Sequence, residues 1–133
     1  MSAEQKYEFW LETADYDLIT ADAMFSTGRW LYVSFMCQQA IEKLVKGLHI
    51  LYIDDNIPRI HDIYRVFARF EPQLPVPLDD TRRELFDRLS KFYLNGRYPQ
   101  SKQRLSETLD KDISENLIKQ TKEAYQWLLT LKP

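Results

Sequence analysis

Three groups of residues in this sequence carry side chains suited to chemistry. The first is the run Gln38-Gln39-Ala40-Ile41-Glu42-Lys43-Leu44-Val45-Lys46. On a helix, Gln39, Lys43 and Lys46 share one side at i, i+4 and i+7, with Glu42 adjacent. Two lysines on one side can neutralise phosphate, and a glutamine can hydrogen-bond a base or an amide. The same spacing also describes a solvated face on which Glu42 and Lys46 form an i,i+4 pair. The second group is His61-Asp62. A histidine at a helix start is held neutral by the dipole and suits hydrogen bonding; it can equally be a packing residue. The third is Asn95-Gly96-Arg97-Tyr98-Pro99. There Arg97 could fork onto a phosphate or carboxylate and Tyr98 could stack on a base, or the run could simply end a helix with Tyr98 in the core. These three groups supply the candidate ligand-binding residues Gln39, Glu42, Lys43, Lys46, His61, Asp62, Arg97 and Tyr98. Of these, His61 and Arg97 are the only candidates for catalysis.

The elements that must position them follow from hydrophobic periodicity. Trp30 to Tyr52 is the organising stretch: Val33, Cys37, Ala40, Ile41, Leu44, Leu48 and Leu51 recur at helical steps. With Ser34, Val45 and Tyr52 its apolar arc is wider than the stripe of about 100° that a surface helix needs. Other helices must therefore surround it. Its remaining arc, from Gln38 to His49, is either solvated surface or the lining of something polar.

A first helix is expected from residue 4 to about 26, capped by Ser2 and ended by Gly28. The short break makes it an antiparallel neighbour of the Trp30–Tyr52 helix. A shorter helix is expected from His61 to Phe70. The prolines at 72, 75 and 77 then impose an extended connector. A fourth helix begins near Thr81, where Thr81 and Glu84 have capping-box spacing, and ends at Asn95-Gly96. Gln100 to Lys111 has the composition of a loop. A last helix runs from about Asp112 to Leu131, capped by Asp110 or Asp112. No strand alternation and no repeat is visible. The expected fold is an all-α, up-and-down antiparallel bundle of four long helices and one short one, as a single domain over residues 1–133.

Composition narrows the function classes. Three glycines in 133 residues favour long helices. No apolar run reaches the roughly 18 residues of a membrane span, and the N-terminus lacks a signal-peptide core. A cytoplasmic protein without a membrane partner is expected. The single cysteine, Cys37, falls on the apolar face and reads as a core residue. One cysteine and two histidines give no zinc spacing, and there is no glycine-rich phosphate loop or nucleophile elbow, so neither metal nor cofactor is implied. A net charge of −2 argues against strong non-specific nucleic-acid binding. The charge is uneven: residues 4–22 hold six acids and one lysine, and residues 82–104 hold seven basic residues and two acids. That second segment leaves room for a local anion site.

Taken in order, Ala14-x-x-Asp17-Leu18-x-x-Ala21, Gly28-Arg29-Trp30, Gln38-Gln39-Ala40-Ile41-Glu42-Lys43-x-x-Lys46-Gly47-Leu48, His61-Asp62-Ile63 and Arg97-Tyr98-Pro99 resemble the HEPN family, the higher eukaryotes and prokaryotes nucleotide-binding domain. The resemblance spans residues 7 to 131. It implies a bundle of about five helices that forms a homodimer, binds a nucleotide or RNA phosphate, and pairs with a minimal nucleotidyltransferase in a toxin–antitoxin-like couple. Gln39, Glu42, Lys43 and Lys46 match the family's helical motif, His61 and Asp62 its HD pair, and Arg97, Tyr98 and Pro99 its RYP piece. Ribonuclease branches of the family carry an arginine and a histidine with four to six residues between them. No arginine here has a histidine at that spacing, and Lys102 occupies the earliest such position after Arg97. The resemblance therefore points to a non-catalytic module. The alternatives are a metal-independent ribonuclease using His61 and Arg97, and a purely structural dimer, with Trp30, Tyr32 and Phe35 as the exposed aromatic candidates.

Overall fold

The computed structural model describes residues 1–94 and 99–133, so Arg97 and Tyr98 lie outside the described residues. The fold is an all-α bundle. It is built from α1 (Ala3–Ser26), α2 (Trp30–Tyr52), α3 (Ile63–Phe67), a 3-10 turn (Glu71–Gln73), α4 (Asp80–Ser90), α5 (Pro99–Glu107) and α6 (Lys111–Leu129). No helix among the described residues is long and apolar enough to cross a membrane.

Local signals set most of the boundaries. Ser2 caps α1 in a full capping box: its hydroxyl accepts from the Gln5 N–H at 3.1 Å, and Gln5 Oε1 accepts from the Ser2 N–H at 2.9 Å. Gly28, at φ 71°, closes α1 with paired bonds from Gly28 N to Phe25 O and from Arg29 N to Met24 O. That is a Schellman turn, and it needs a residue without a Cβ at the left-handed position. The chain reverses within three residues. Contacts between Phe25 and Trp30, Asp17 and Lys43, and Lys6 and Asp55 show α1 and α2 lying antiparallel. Helix α6 runs back along α1 through Lys122 to Asp22, Tyr125 to Asp15 and Lys132 to Glu4. The Tyr125 phenol holds its proton well above the usual range, because it is buried and donates to the Asp15 carboxylate.

Helix α2 is the axis. Val33, Cys37, Ile41, Leu44 and Leu48 have no exposure. They join one apolar cluster with Phe67 and Phe70 near α3, Phe86 of α4, and Leu117 and Leu128 of α6. Phe67 meets Phe86 at 5.7 Å and Trp127 at 6.1 Å between ring centroids, so the short α3 is held by aromatic contacts rather than by its own turns.

Helix α3 ends at Phe67 rather than Phe70, and α4 ends at Ser90, capped by Lys91, rather than at Asn95-Gly96. Four further differences from the sequence expectation each have a local reason. His61 lies outside α3, because Asp62 takes the N-cap and accepts from the Arg65 N–H at 3.2 Å. Pro72 sits inside the 3-10 turn, at an early position where no N–H is required, so the expected extended connector begins only after Gln73. Asp79 rather than Thr81 caps α4, accepting from the Arg82 N–H at 2.7 Å. The segment expected to be a loop contains α5: Pro99 occupies its first position, which proline favours, and most of its polar residues are exposed, with Ser101, Lys102 and Leu105 half-buried. Asp110, one of the two residues considered, caps α6.

At Gly47 α1 packs tightly against α2. A Cβ there would lie 3.2 Å from both Trp10 Cβ and the Tyr7 ring. Tyr7 is buried and Trp10 Cβ is fixed to the α1 backbone, so neither can yield cheaply. Alanine improves helix propensity by about 1 kcal/mol, but overpacking costs roughly 1–3 kcal/mol. Urea denaturation of Gly47→Ala is expected to show a net loss of about 1 kcal/mol, and Gly47→Leu a larger one; unchanged stability would mean the two helices can separate freely.

Candidate functional site

The polar arc of α2 is buried. Gln38 and His49 have no exposure, and Glu42 and Lys46 are 5% and 8% exposed. It is therefore not a solvated face. It lines an interior of the protein's own polar groups, and every member named here has a partner. Gln39 Nε2 donates to Gln38 Oε1 at 2.7 Å, and Gln38 Nε2 donates to Glu42 Oε1 at 2.7 Å. Lys46 Nζ donates to Glu42 Oε2 at 3.1 Å. His61 Nδ1 lies 3.2 and 3.3 Å from the two Glu42 oxygens. The i,i+4 ladder from 38 to 42 to 46 thus converges on one carboxylate, which the imidazole reaches from another segment. Lys43, one step around the helix, pairs with the buried Asp17 of α1 at 2.5 Å. Lys43 and Lys46 both face carboxylates of the same chain.

His61 is positioned from three sides. Glu42 binds Nδ1. The Tyr93 ring stacks on the imidazole at 3.6 Å between centroids, with 13° between planes. The segment that leads to His61 is tied to α2 at its start: His49 Nδ1 lies 2.9 Å from Asp54 O, and Arg69 Nε donates to His49 Nε2 at 2.9 Å. Since Arg69 can only donate, His49 Nε2 must accept and its proton must sit on Nδ1, donating to Asp54 O. By the same reasoning the Nδ1–H of His61 donates to Glu42. His61 Nε2 has no hydrogen-bond partner among the described residues, and the side chain is 42% exposed.

An open groove of about 730 Å³ lies against this imidazole, lined by Ile60, His61, Asp62, Asp87, Ser90, Lys91 and Tyr93. Its carboxylates are engaged. Asp62 caps α3, and Asp87 is 4.0 Å from Arg83, which in turn lies over the Tyr64 ring at 3.7 Å. The Ser90 hydroxyl accepts from the Ile63 N–H at 3.0 Å and joins α4 to α3. The arrangement can present a single-tautomer imidazole, flanked by an aromatic ring and a lysine, to a ligand in the groove.

The structure brings together Gln39, Glu42, Lys46, His61 and Asp62 and places Lys43 on the neighbouring α1 contact. Arg97 and Tyr98 fall outside the described residues. Asp87, Ser90, Lys91 and Tyr93 are not among the site residues that the sequence singles out. Tyr93 lies beyond the end of α4, and no spacing in the sequence links it to His61. Among the described residues no group of three or more His, Cys, Asp or Glu could hold a metal ion. Cys37 is buried, and burial pushes its thiol up to about 12.

The HEPN domain family model matches residues 7–131, and the chain belongs to the HEPN family. Two solved structures share the fold. One is TT1696 from Thermus thermophilus, with a TM-score of 0.77 and 23% identity over 94% of this chain and 97% of that one. The other is ST0689, an archaeal HEPN homologue, with a TM-score of 0.72 and 20% identity over 96% of this chain and 98% of that one. No curated protein matches the chain.

Two outcomes follow from the interior chemistry. Glu42→Ala leaves Gln38, Lys46 and His61 facing an empty acceptor position, and chemical denaturation should show a loss of about 3–5 kcal/mol, the usual cost of orphaning one half of a buried pair. Cys37 in the native protein at pH 8 should stay unreacted with a chromogenic disulfide reagent and react within minutes in guanidinium, since so little thiolate exists below its raised pKa.

Proposed function

We propose that this HEPN protein binds a nucleotide or RNA phosphate in the His61 groove without cleaving it, acting as a single-domain homodimeric partner of a minimal nucleotidyltransferase in a toxin–antitoxin-like pair. The observation that carries the ligand reading is the imidazole of His61, fixed by Glu42 and Tyr93 beside an open groove with Nε2 unpartnered among the described residues. Neutral Nε2 accepts from a ribose hydroxyl, and protonated it donates to a phosphate oxygen. Lys91 supplies a positive charge to the same groove, and the exposed side of the His61–Tyr93 stack offers a surface to a base. In this reading Gln39, Glu42, Lys43 and Lys46 hold the imidazole and the helix pair in place, while His61 meets the ligand. The dimer and the nucleotidyltransferase pairing rest on family membership.

A second reading has one observation in its favour. A buried carboxylate that fixes an imidazole tautomer and leaves the other nitrogen outward is also the arrangement of a general base. Acting so, His61 would take the proton of a ribose 2′-hydroxyl, the 2′-oxygen would attack phosphorus, and the P–O5′ bond would break with the leaving oxygen taking a proton from the imidazolium or water, giving a 2′,3′-cyclic phosphate and a free 5′-hydroxyl.

One experiment separates the two. Fluorescently labelled single-stranded RNA, with ATP and GTP as competitors, is titrated by anisotropy, and the same samples are run on a gel. Saturable binding is expected, with intact RNA and at least a tenfold loss in His61→Ala, the equivalent of one charge-assisted hydrogen bond of about 1.5 kcal/mol. RNA cut by the wild type and spared by His61→Ala would give the groove to the ribonuclease reading. No binding at millimolar ligand defeats both; equal binding by His61→Ala defeats the first, and uncut RNA, or RNA cut equally by His61→Ala, defeats the second. Light scattering tests the dimer, which a monomeric mass would remove.

A further inference from the structure

The outer face of α1 carries a second apolar surface, sharing no residue with the His61 groove. Phe9, Glu12, Tyr16, Ile19 and Ala23 recur at steps of three, four, three and four, a single stripe of the helix. This stripe lies opposite Tyr7, Ala14 and Ala21, which face the core. Phe9, Tyr16 and Ile19 are 61%, 73% and 69% exposed, and no other described element covers them. Three large apolar side chains in one line are more than the scattered exposure of an ordinary surface.

The stripe is also shaped. Phe9 and Met1 form a ridge between two grooves. One, of about 260 Å³, has an apolar floor of Trp10, Ile50 and Ile57. The other, of about 290 Å³, is lined by Glu4, Glu8 and Glu12. Charge decides the occupant. Lys132 pairs with both Glu4 and Glu8, Lys122 takes Asp22, and Tyr125 takes Asp15. Glu12, in the middle of the stripe, has no partner among the described residues, and Lys6 is engaged by Asp55. The face is therefore net negative. A second copy laid against it would bring two net-negative faces together, which is unfavourable.

We propose that the outer face of α1 docks a basic amphipathic helix of a partner protein, its apolar side over Phe9, Tyr16 and Ile19 and its lysines or arginines against Glu8 and Glu12. Helix-on-helix docking reads such anchors on one helical face, here at i, i+7 and i+10. The test uses the full chain and a labelled 18-residue helical peptide of leucine and lysine, with a leucine–glutamate peptide of the same pattern as control. One-to-one binding of the basic peptide is expected, weakened at least tenfold in Tyr16→Ser/Ile19→Ser and in Glu12→Lys, and unchanged in His61→Ala. All the substituted α1 side chains are exposed, so these variants keep the fold, which circular dichroism verifies. No binding of the basic peptide, equal binding to the α1 variants, or equal binding of the acidic peptide would overturn the proposal. So would light scattering that shows self-association broken by Tyr16→Ser/Ile19→Ser, since a second copy would then occupy the face.

Discussion

Inside the bundle one carboxylate receives hydrogen bonds from three directions: Gln38 one turn before it, Lys46 one turn after, and His61 from a separate segment. A glutamate this buried is costly unless its lone pairs are filled and its charge is balanced. Here Lys46 balances the charge, and Gln38 and His61 fill the remaining positions. The consequence reaches beyond α2. Because the third donor comes from the segment before α3, the polar demand of Glu42 determines where that segment must lie. Apolar packing brings α3 and α4 against α2 through Phe67 and Phe86, while the carboxylate sets the orientation of what precedes them.

A second buried histidine does related work. His49 joins Arg69, after α3, to the backbone at Asp54, after α2. The segment carrying His61 is thus held at its start by one imidazole and near its end by the other. Both are used in a single tautomer, each fixed by what the opposite nitrogen or the facing oxygen requires. Two histidines with no sequence spacing of note become the two fastenings of one loop.

The apolar half of α2, the α1–α2 reversal and the all-α class were legible because they rest on local signals: a helical period, an N-cap at Ser2 and a glycine at 28. The polar half was ambiguous, and for a physical reason. Gln39, Lys43 and Lys46 have the same spacing whether they meet water, a phosphate or a carboxylate of their own chain. Only the tertiary fold brings Asp17 to Lys43 and His61 to Glu42. The family resemblance marked these residues as a set without saying that the set is an interior network. Helix α5 escaped notice because Leu105 is its only large apolar residue, too little for a periodic signal. Tyr93 escaped because it stacks on His61 from a non-helical stretch, where neither period nor cap applies.

The position of His61 outside every helix has a thermodynamic consequence. No helical hydrogen bond holds its backbone in place, so side-chain contacts with Glu42 and Tyr93 define the ring. Its rotamer freedom is surrendered when the chain folds and not when something enters the groove. Immobilising such a side chain on binding ordinarily costs about 0.5–1.5 kcal/mol. Whatever meets His61 finds part of that entropy already spent.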